Sequence, residues 1–299
     1  MSSFARKFFN YKRNFLGIVS LFYILLVFFT SLFAYVISPD KSKNANHMNL
    51  SIHSKKPGFE VKMLVYKNEI QNKLSFSSIF WGYEDDLIYN PISDYKIDGN
   101  YLYYREFNSL DNDFKSIDIN KVDVINKKFY FGTDKFGRDV LSRIIIGSRI
   151  SFSIGFISVL ISLIIGLILG SISGYYSGYA DKIIMWIINV TWSIPTLLLV
   201  IAITLALGKG FWQVFIAVGL TMWVEVARIV RGQIKQYKER QFIIAAKVMG
   251  YNDFRIITKH ILPNLYSPLI VISAANFAAS ILIESGLSFL GLGAQPPMT

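Results

Sequence analysis

Residues Gln241–Asn264 read QFIIAAKVMGYNDFRIITKHILPN, and the fold is decided by this stretch and its surroundings. Gly250 suits the left-handed conformation that ends a helix, and Asn252 is a good cap for a following helix. Pro263 and Pro268 are expected to break that second helix before the next apolar run, because proline has no backbone N–H to donate. The stretch therefore predicts a helix, a turn and a second helix.

This helix–turn–helix stretch carries small side chains and lies in a basic part of the chain. Ala245 and Ala246 leave a flat patch that another protein can approach closely. Between Arg228 and Pro263 the chain has eight basic and two acidic residues. Basic residues beside apolar runs mark the cytoplasmic side of a membrane, because Lys and Arg resist translocation. We therefore expect the stretch to face the cytoplasm.

Five apolar runs around the stretch are long enough to cross a bilayer. A helix of about 20 residues spans the hydrocarbon layer of roughly 30 Å, and the chain is 53% hydrophobic and only 17% charged. The runs cover approximately residues 15–37, 150–173, 183–207, 211–230 and 269–290. The first is longer than a signal-peptide core and precedes no small-residue cleavage site, which predicts an uncleaved span. The fold class is all-α integral membrane.

The basic residues also orient these spans. The tail, residues 1–14, has four basic residues and no acid, and the loop of residues 231–268 is basic as well. Alternation from a cytoplasmic N-terminus places both regions inside and residues 38–148 outside. Residues 149–299 then form a multi-pass transmembrane domain.

The external segment, residues 38–148, is nearly neutral, with 16 basic and 15 acidic side chains. The net charge of +11 therefore lies beside the spans, which disfavours nucleic acid as a partner. Short alternating runs at Tyr101–Tyr104 and Val122–Ile125 predict a small, partly β insertion after the first helix.

Several kinds of chemistry are missing from the sequence. The chain has no cysteine, which excludes disulfides and thiolate sites. His47, His53 and His260 are too scattered to predict a metal site. No Gly-x-x-x-x-Gly-Lys-Ser/Thr phosphate loop occurs, so this chain is not expected to bind ATP by itself. The chain is predicted not to be an enzyme.

The spacing Ala-Ala-x-x-x-Gly, with Leu-Pro twelve residues after the glycine, resembles the "EAA" loop of ABC importer permeases. Further motifs, from about Phe131 to the last residue, are similar to those of the oligopeptide/dipeptide/nickel permease group. These motifs are Gly132-Thr133-Asp134 with Gly137-Arg138-Asp139, Gly174-Tyr175-Tyr176-Ser177-Gly178, Ala227-Arg228-Ile229-Val230-Arg231-Gly232, His260-Ile261-Leu262-Pro263-Asn264 and Leu287-Ser288-Phe289-Leu290-Gly291-Leu292-Gly293.

The resemblance implies the fold of a type I importer permease in the cytoplasmic membrane of a prokaryote. Its implied partners are a second permease subunit, two ATPase subunits that hold ATP and Mg, an extracytoplasmic solute-binding protein and membrane lipid. No cofactor is implied for this chain itself. Short peptides are the favoured cargo, and dipeptide, oligopeptide, nickel or another solute cannot be separated from the sequence.

The resemblance and the spans together single out candidate residues. The implied ATPase-coupling loop contains Ala245, Ala246, Gly250, Asn252, Asp253, His260, Leu262 and Pro263. A motif expected to order the chain where it enters the membrane contains Gly132, Asp134, Gly137, Arg138 and Asp139. Charged or bending residues in the spans are Glu225 and Arg228, whose spacing predicts a structural ion pair, and Glu284 and Pro195, which are candidates for a pathway or gate. Pro195 is also expected to mark a helix bend.

Three departures from the family pattern qualify the resemblance. Ile244 stands where the family usually has Glu, so one polar contact to the ATPase is missing or replaced. Trp186 and Asn189 stand where the family tends to have an arginine and an acid. The family continues into a sixth span beyond Pro297, whereas this sequence ends at Thr299, which indicates a fragment or a truncated product.

A membrane-anchored receptor is the alternative from a different class of function. Such a receptor could sense a ligand with its external segment, but it would need one or two spans and a cytoplasmic signalling domain. Five apolar runs and a short basic loop favour the permease. A membrane enzyme would need an intramembrane catalytic constellation, and the sequence suggests none.

Overall fold

The computed structural model describes residues 15–40, 42, 45–66, 82, 88–108, 113–208 and 210–293. The described residues divide into two compact units, the first ending at Ile150 and the second beginning at Ser151. The boundary between them falls within one long helix.

The first unit begins with an apolar helix, α1 (Phe15–Leu32), followed after Phe33 by a short helix, α2 (Ala34–Ile37). Apolar side chains are exposed all round α1, including Phe15 and Phe22. A helix that is apolar on every side is suited to lipid or to a protein interior, and not to water. The predicted first span is therefore a helix with a turn near its end.

A five-stranded antiparallel sheet follows. Its strands are β1 (Phe59–Tyr66), β2 (Tyr89–Asp98), β3 (Tyr101–Glu106), β4 (Lys115–Asp118) and β5 (Val122–Phe129), in the order β4-β3-β2-β1-β5. Its core includes Leu64, Ile92, Leu102 and Val122. The β2–β3 turn uses Gly99 at a φ of +56°, a conformation that favours glycine in tight hairpins.

The second unit is helical. After α3 (Val140–Tyr176), whose first residues belong to the first unit, come α4 (Gly178–Ser193), α5 (Thr196–Leu207), α6 (Phe211–Lys238), α7 (Gln241–Val248), α8 (Asp253–Arg255) and α9 (Tyr266–Phe289). In the described part of the chain, four helical segments are long and apolar enough to cross a membrane, or five if the bent pair α4–α5 counts as one span.

The α4–α5 pair covers the predicted span of residues 183–207 and is sharply bent within it. The two helices meet at an angle of 95°, and the chain is extended at Ile194 between them. Pro195 lies at this break. Because proline has no backbone N–H, it cannot continue the hydrogen bonding of α4, and the helix ends there. The bend predicted at Pro195 is therefore confirmed.

The path from α8 into α9 stays helical, so the predicted break at the two prolines is wrong. Asp253–Phe289 form one helical segment of 37 residues. A π-helical turn, Ile256–Ile261, and a 3-10 turn, Leu262–Leu265, lie within it. These turns change the hydrogen-bond spacing where Pro263 lacks its N–H, so the helix adapts and does not end.

Helices α3 and α6 pack closely along glycines spaced four residues apart. A Cβ atom at Gly170 would lie 2.7 Å from the carbonyl oxygen of Ala227, and one at Gly174 would lie 2.9 Å from that of Arg231. Gly166 belongs to the same row and faces α6 as well. Small residues at this spacing let two helix backbones approach each other within a membrane.

Candidate coupling loop and intramembrane cavity

The loop between α6 and α9 has the predicted helix–turn–helix geometry. Gly250 adopts a φ of +79° after α7. The side chain of Asn252 accepts a hydrogen bond of 2.9 Å from the backbone N–H of Arg255, and so caps α8. The turn thus combines a glycine in the left-handed conformation with an asparagine that caps a helix, and these are the positions that the two residue types prefer.

One face of this loop is buried. Ile243 and Ala246 are 0% and 1% exposed, and they pack with Ile256 and Ile261 in a cluster that also includes Ile234 of α6. The prediction that both alanines form a flat docking patch is therefore wrong for Ala246. Successive residues of a helix point about 100° apart, and here Ala246 falls on the buried side of α7 while Ala245 falls on the exposed side.

The opposite face of α7 exposes apolar side chains to the surroundings. Ile244 is 51% exposed, Val248 83% and Met249 65%, and Ala245 is exposed beside them. These four positions lie on one helical face, and we call them the docking surface. Phe254 on the following helix is 75% exposed. An exposed apolar surface on a helix whose opposite face is buried in the protein is typical of a protein-binding site.

Polar contacts hold the loop to α3 and α6. The hydroxyl of Tyr175 donates to Asp253 at 2.6 Å, and the Lys238 ammonium donates to the backbone carbonyl of Tyr175 at 2.5 Å. Lys247 lies over the Tyr175 ring, 5.1 Å from its centroid. The last turn of α3 thus contacts both the loop and the end of α6.

A second anchor joins α4 to α6. Asp181 accepts hydrogen bonds from the Arg231 guanidinium at 2.6 and 2.8 Å, and from the Lys235 ammonium at 2.7 Å. Ser173 of α3 also donates to this carboxylate. We did not identify Asp181 from the sequence, where the spacing of Arg231 and Lys235 on one helix face was its only signal.

The other predicted loop residues support the turn. The His260 ring stacks on Tyr251, with the ring centroids 5.6 Å apart. Leu262 and Pro263 lie in the 3-10 turn that leads into α9, away from the docking surface in sequence. Their positions indicate that they direct the chain from the loop into α9.

The predicted membrane-entry motif forms a polar clamp in the first unit. Asp134 accepts hydrogen bonds from the backbone N–H of Arg138 at 2.9 Å and from its guanidinium at 2.7 Å. Arg138 also donates to Asn46 at 3.0 Å. Asp139 accepts from the backbone N–H and the hydroxyl of Ser142 at the start of α3. These contacts order the chain just ahead of the span.

Two glycines of this motif lie directly against the preceding segment. A Cβ atom on Gly132 would lie 2.2 Å from the carbonyl oxygen of Lys55, and one on Gly137 would lie 1.9 Å from that of Asn49. Both glycines also have positive φ, at +75° and +73°. Only glycine satisfies the conformation and the space together.

A buried carboxylate next to this clamp gives a pH-dependent prediction. Burial raises the pKa of Asp40, but hydrogen bonds from His47 and Ser42 and the charge of His47 outweigh it and lower the pKa from 3.8 to about 2. Because the folded pKa lies below the unfolded one, the stabilisation is fully present above pH 3.8 and is lost as the pH falls through about 2.

Asp40→Asn is therefore expected to lower the free energy of unfolding of the first unit by about 2 kcal/mol at pH 7. The difference from the unchanged chain should shrink below pH 3.8, which amide hydrogen exchange across the pH range would measure. Asp98→Asn, at an exposed hairpin position, removes the same charge and should have little effect. A difference that persists unchanged at pH 2 would contradict the electrostatic origin.

A cavity of about 160 Å³ opens beside the bend between α4 and α5. Trp192 and Thr196 line it from the two sides of the bend, Glu225 from α6, and Asn276 and Ile283 from α9. Asn276 is 2% exposed, and its Nδ2 has no hydrogen-bond partner among the described residues. The cavity therefore combines apolar side chains with threonine hydroxyls, the Glu225 carboxylate and the Asn276 amide.

Two predictions about charged residues change with this geometry. Glu225 and Arg228 do not form the predicted ion pair in the described structure, because the guanidinium of Arg228 lies over the Trp192 ring, 3.8 Å from its centroid. Glu284 does not line the cavity. It is 5% exposed and accepts a hydrogen bond of 2.6 Å from Ser288, which favours a packing role.

Comparisons with known proteins agree with the motif analysis. A family model described as the binding-protein-dependent transport system inner membrane component matches residues 166–299. The chain is 31% identical over 291 residues to the dipeptide transport system permease protein DppC of Lactococcus lactis subsp. cremoris (strain MG1363), which covers 96% of this chain and 74% of the relative. The chain belongs to this permease family.

Within this permease family, the chain is 45% identical over 168 residues to the DppC protein of Bacillus subtilis (strain 168). The match covers 56% of the chain and 52% of the relative, so the chain spans about half of that protein's length. A chain of the MetNI methionine ABC transporter, solved in inward-facing conformations, matches with a TM-score of 0.42 and 18% identity, over 48% of this chain and 73% of that one. The predicted membership of the oligopeptide/dipeptide permease group is confirmed.

Proposed function

We propose that this chain is a transmembrane permease subunit of an ATP-driven importer that carries short peptides across the cytoplasmic membrane. ATP is hydrolysed by two separate subunits, one of which binds the docking surface. A second permease subunit completes the pathway, and an extracytoplasmic solute-binding protein delivers the peptide. The dipeptide permease names of its relatives support the cargo.

The docking surface is the observation that carries this proposal. It exposes Val248 and Met249 on a short helix that lies between candidate spans and not within one. Because α7 follows a basic helix end with Lys235 and Lys238, its surroundings disfavour burial in lipid. A protein partner is the remaining way to cover these side chains.

The anchors of the loop explain how binding on the docking surface would affect the spans. Tyr175 connects Asp253 to the end of α3, and Asp181 connects α4 to α6 through Arg231. A displacement of α7 by the ATPase is therefore passed to three helices by short polar contacts. The pathway alternates its opening as the ATPase subunits close and separate.

The identity of residue 244 affects how docking is achieved. Ile244 replaces the glutamate usual in the family and is half exposed on the docking surface. An apolar residue here indicates that docking depends more on packing than on a charge contact. No feature of the described helices favours the alternative of a membrane-anchored receptor.

The experiment introduces a charge at the most exposed position of the docking surface. Val248→Asp is expected to prevent co-purification of the ATPase subunits and to abolish uptake, because an unpaired carboxylate at the centre of an interface is costly. The amount of chain in the membrane should stay near that of the unchanged protein, since Val248 is 83% exposed.

Leu50→Asp provides a matched control, because Leu50 is 68% exposed in the first unit and lies outside the docking surface. It should retain the ATPase subunits. If Val248→Asp also retains them and transports normally, the loop is a connector and the proposed coupling is wrong.

A further inference from the structure

The cavity at the α4–α5 bend contains a carboxylate that the coupling mechanism does not use. Glu225 is exposed on α6, and it has neither an ion pair nor a hydrogen bond within the part of the chain that the structure describes. Ionisable groups within a span are costly and usually face a pathway or a binding partner. An exposed, unpaired carboxylate is therefore suited to a cation that arrives from outside the chain.

A second polar group in the cavity, the Asn276 amide, would pair with a hydrogen-bond acceptor and not with a cation. The Nδ2 of Asn276 is an almost fully buried donor without an acceptor among the described residues, and Asn276 lines the cavity from α9. A buried donor without an acceptor is unfavourable, and an acceptor on a ligand would remove this cost. Glu225 and Asn276 thus give the cavity one anionic group and one amide donor that lacks a partner among the described residues.

Much of the wall around these groups is apolar. Trp192 is fixed by Arg228, whose guanidinium lies over the indole, and Ile283 and Met222 complete the wall. A volume of about 160 Å³ is small compared with the roughly 300–1,000 Å³ of pockets that enclose whole ligands. The cavity therefore fits one end of a molecule and not an entire peptide.

We propose that this cavity binds the amino-terminal residue of the transported peptide. Its ammonium group pairs with Glu225, the carbonyl oxygen of the same residue accepts from Asn276 Nδ2, and its side chain lies against Trp192. This proposal deepens the function proposed above and rests on it. The chemical class that it selects is a free α-amino group next to a carbonyl.

The break between α4 and α5 lies at the cavity and leaves it open to the surroundings. Thr196, the first residue of α5, lines the cavity and is exposed. Discontinuous helices near the middle of a membrane commonly supply binding groups in transporters. Thr196 is thus a suitable position for a reporter.

The absence of cysteine from the chain allows a direct test. Thr196→Cys in the full chain, in membrane vesicles, is treated with a positively charged and with a negatively charged methanethiosulfonate reagent. The cationic reagent is expected to react faster, and Glu225→Gln should reduce that preference by about fivefold, the effect of one carboxylate at close range. Ile216→Cys, on α6 outside the cavity, should show no change with Glu225→Gln.

Protection by ligands then identifies the chemistry. A dipeptide with a free amino group should slow labelling of Thr196→Cys, whereas its N-acetylated form should not. Asn276→Leu should remove this protection and keep the preference for the cationic reagent, which separates the two polar groups. Equal protection by the two dipeptides, or a labelling preference independent of Glu225, would overturn the proposal. A cysteine that becomes unreactive in the assembled transporter without peptide would overturn it too, because a second subunit would then fill the cavity.

This test is independent of the docking experiment. It needs neither ATPase binding nor uptake, so loss of coupling in Val248→Asp and loss of the preference for the cationic reagent in Glu225→Gln are separate results. Glu225→Gln should still retain the ATPase subunits on purification.

Discussion

Gly170→Leu is expected to separate α3 from α6 and to lower the free energy of unfolding of the second unit by about 1–3 kcal/mol, the range for overpacking at a close contact. A Cβ atom at this position would lie 2.7 Å from the backbone carbonyl of Ala227 and 2.8 Å from the Cβ of Val230. A backbone oxygen cannot turn away as a flexible side chain can, so one helix has to move. Transport should be lost along with stability, because the Tyr175–Asp253 and Asp181–Arg231 contacts depend on the positions of these helices.

Thermal unfolding in detergent measures this change, and the chain offers a control on the same helix. Gly147 of α3 has nothing within 4 Å of its added Cβ. Gly147→Ala should leave the unfolding temperature unchanged or raise it slightly, because alanine favours the helical conformation more than glycine does. If Gly170→Leu unfolds at the same temperature as the unchanged chain, the two helices do not pack as described.

Gly137→Ala is expected to disrupt the clamp ahead of α3, because the new methyl group would lie 1.9 Å from the carbonyl oxygen of Asn49. Two costs add at this position. Alanine at a positive φ costs roughly 1–2 kcal/mol, and the overlap with backbone atoms adds a further 1–3 kcal/mol. The hydrogen bonds of Asp134 depend on the same turn and should weaken with it.

The two costs can be separated by comparing glycines in the first unit. Gly99 also has a positive φ, +56°, but nothing lies within 4 Å of its added Cβ. Gly99→Ala should therefore show the conformational cost alone. Limited proteolysis of the folded chain is expected to cut Gly137→Ala much faster than Gly99→Ala. Equal rates of cleavage would mean that the contact with Asn49 does not contribute.

Local features of the fold could be predicted from the sequence because they depend on the residues themselves. The left-handed Gly250 and the capping Asn252 follow from the conformational preferences of glycine and asparagine. The apolar runs follow from length and composition alone. The bend at Pro195 follows from the missing N–H, although its angle of 95° depends on the packing around it.

Features that join distant parts of the chain could not be predicted. Asp181 meets Arg231 across 50 positions, and no local pattern states which helices will be neighbours. Ala246 is buried because α6 and the π turn lie on its side of the helix, whereas its neighbour Ala245 is exposed. Arg228 contacts Trp192 of another helix and not Glu225 of its own, so spacing along one helix was a poor guide to pairing.

The π turn at Ile256–Ile261 fixes the rotational phase between the two ends of one helical segment. A π turn takes in one more residue than an α turn, and each residue of an α-helix rotates the side-chain direction by about 100°. Loss of one residue here would let the turn close as an ordinary α-helix, with its hydrogen bonding intact. Because the lost residue is the one that the π turn takes in, the directions of Phe254 and Asn276 would keep nearly their present relation. The same number of residues wound as a continuous α-helix would instead rotate one direction against the other by about 100°. The alignment of loop and cavity is therefore set by the π turn together with the number of residues between them.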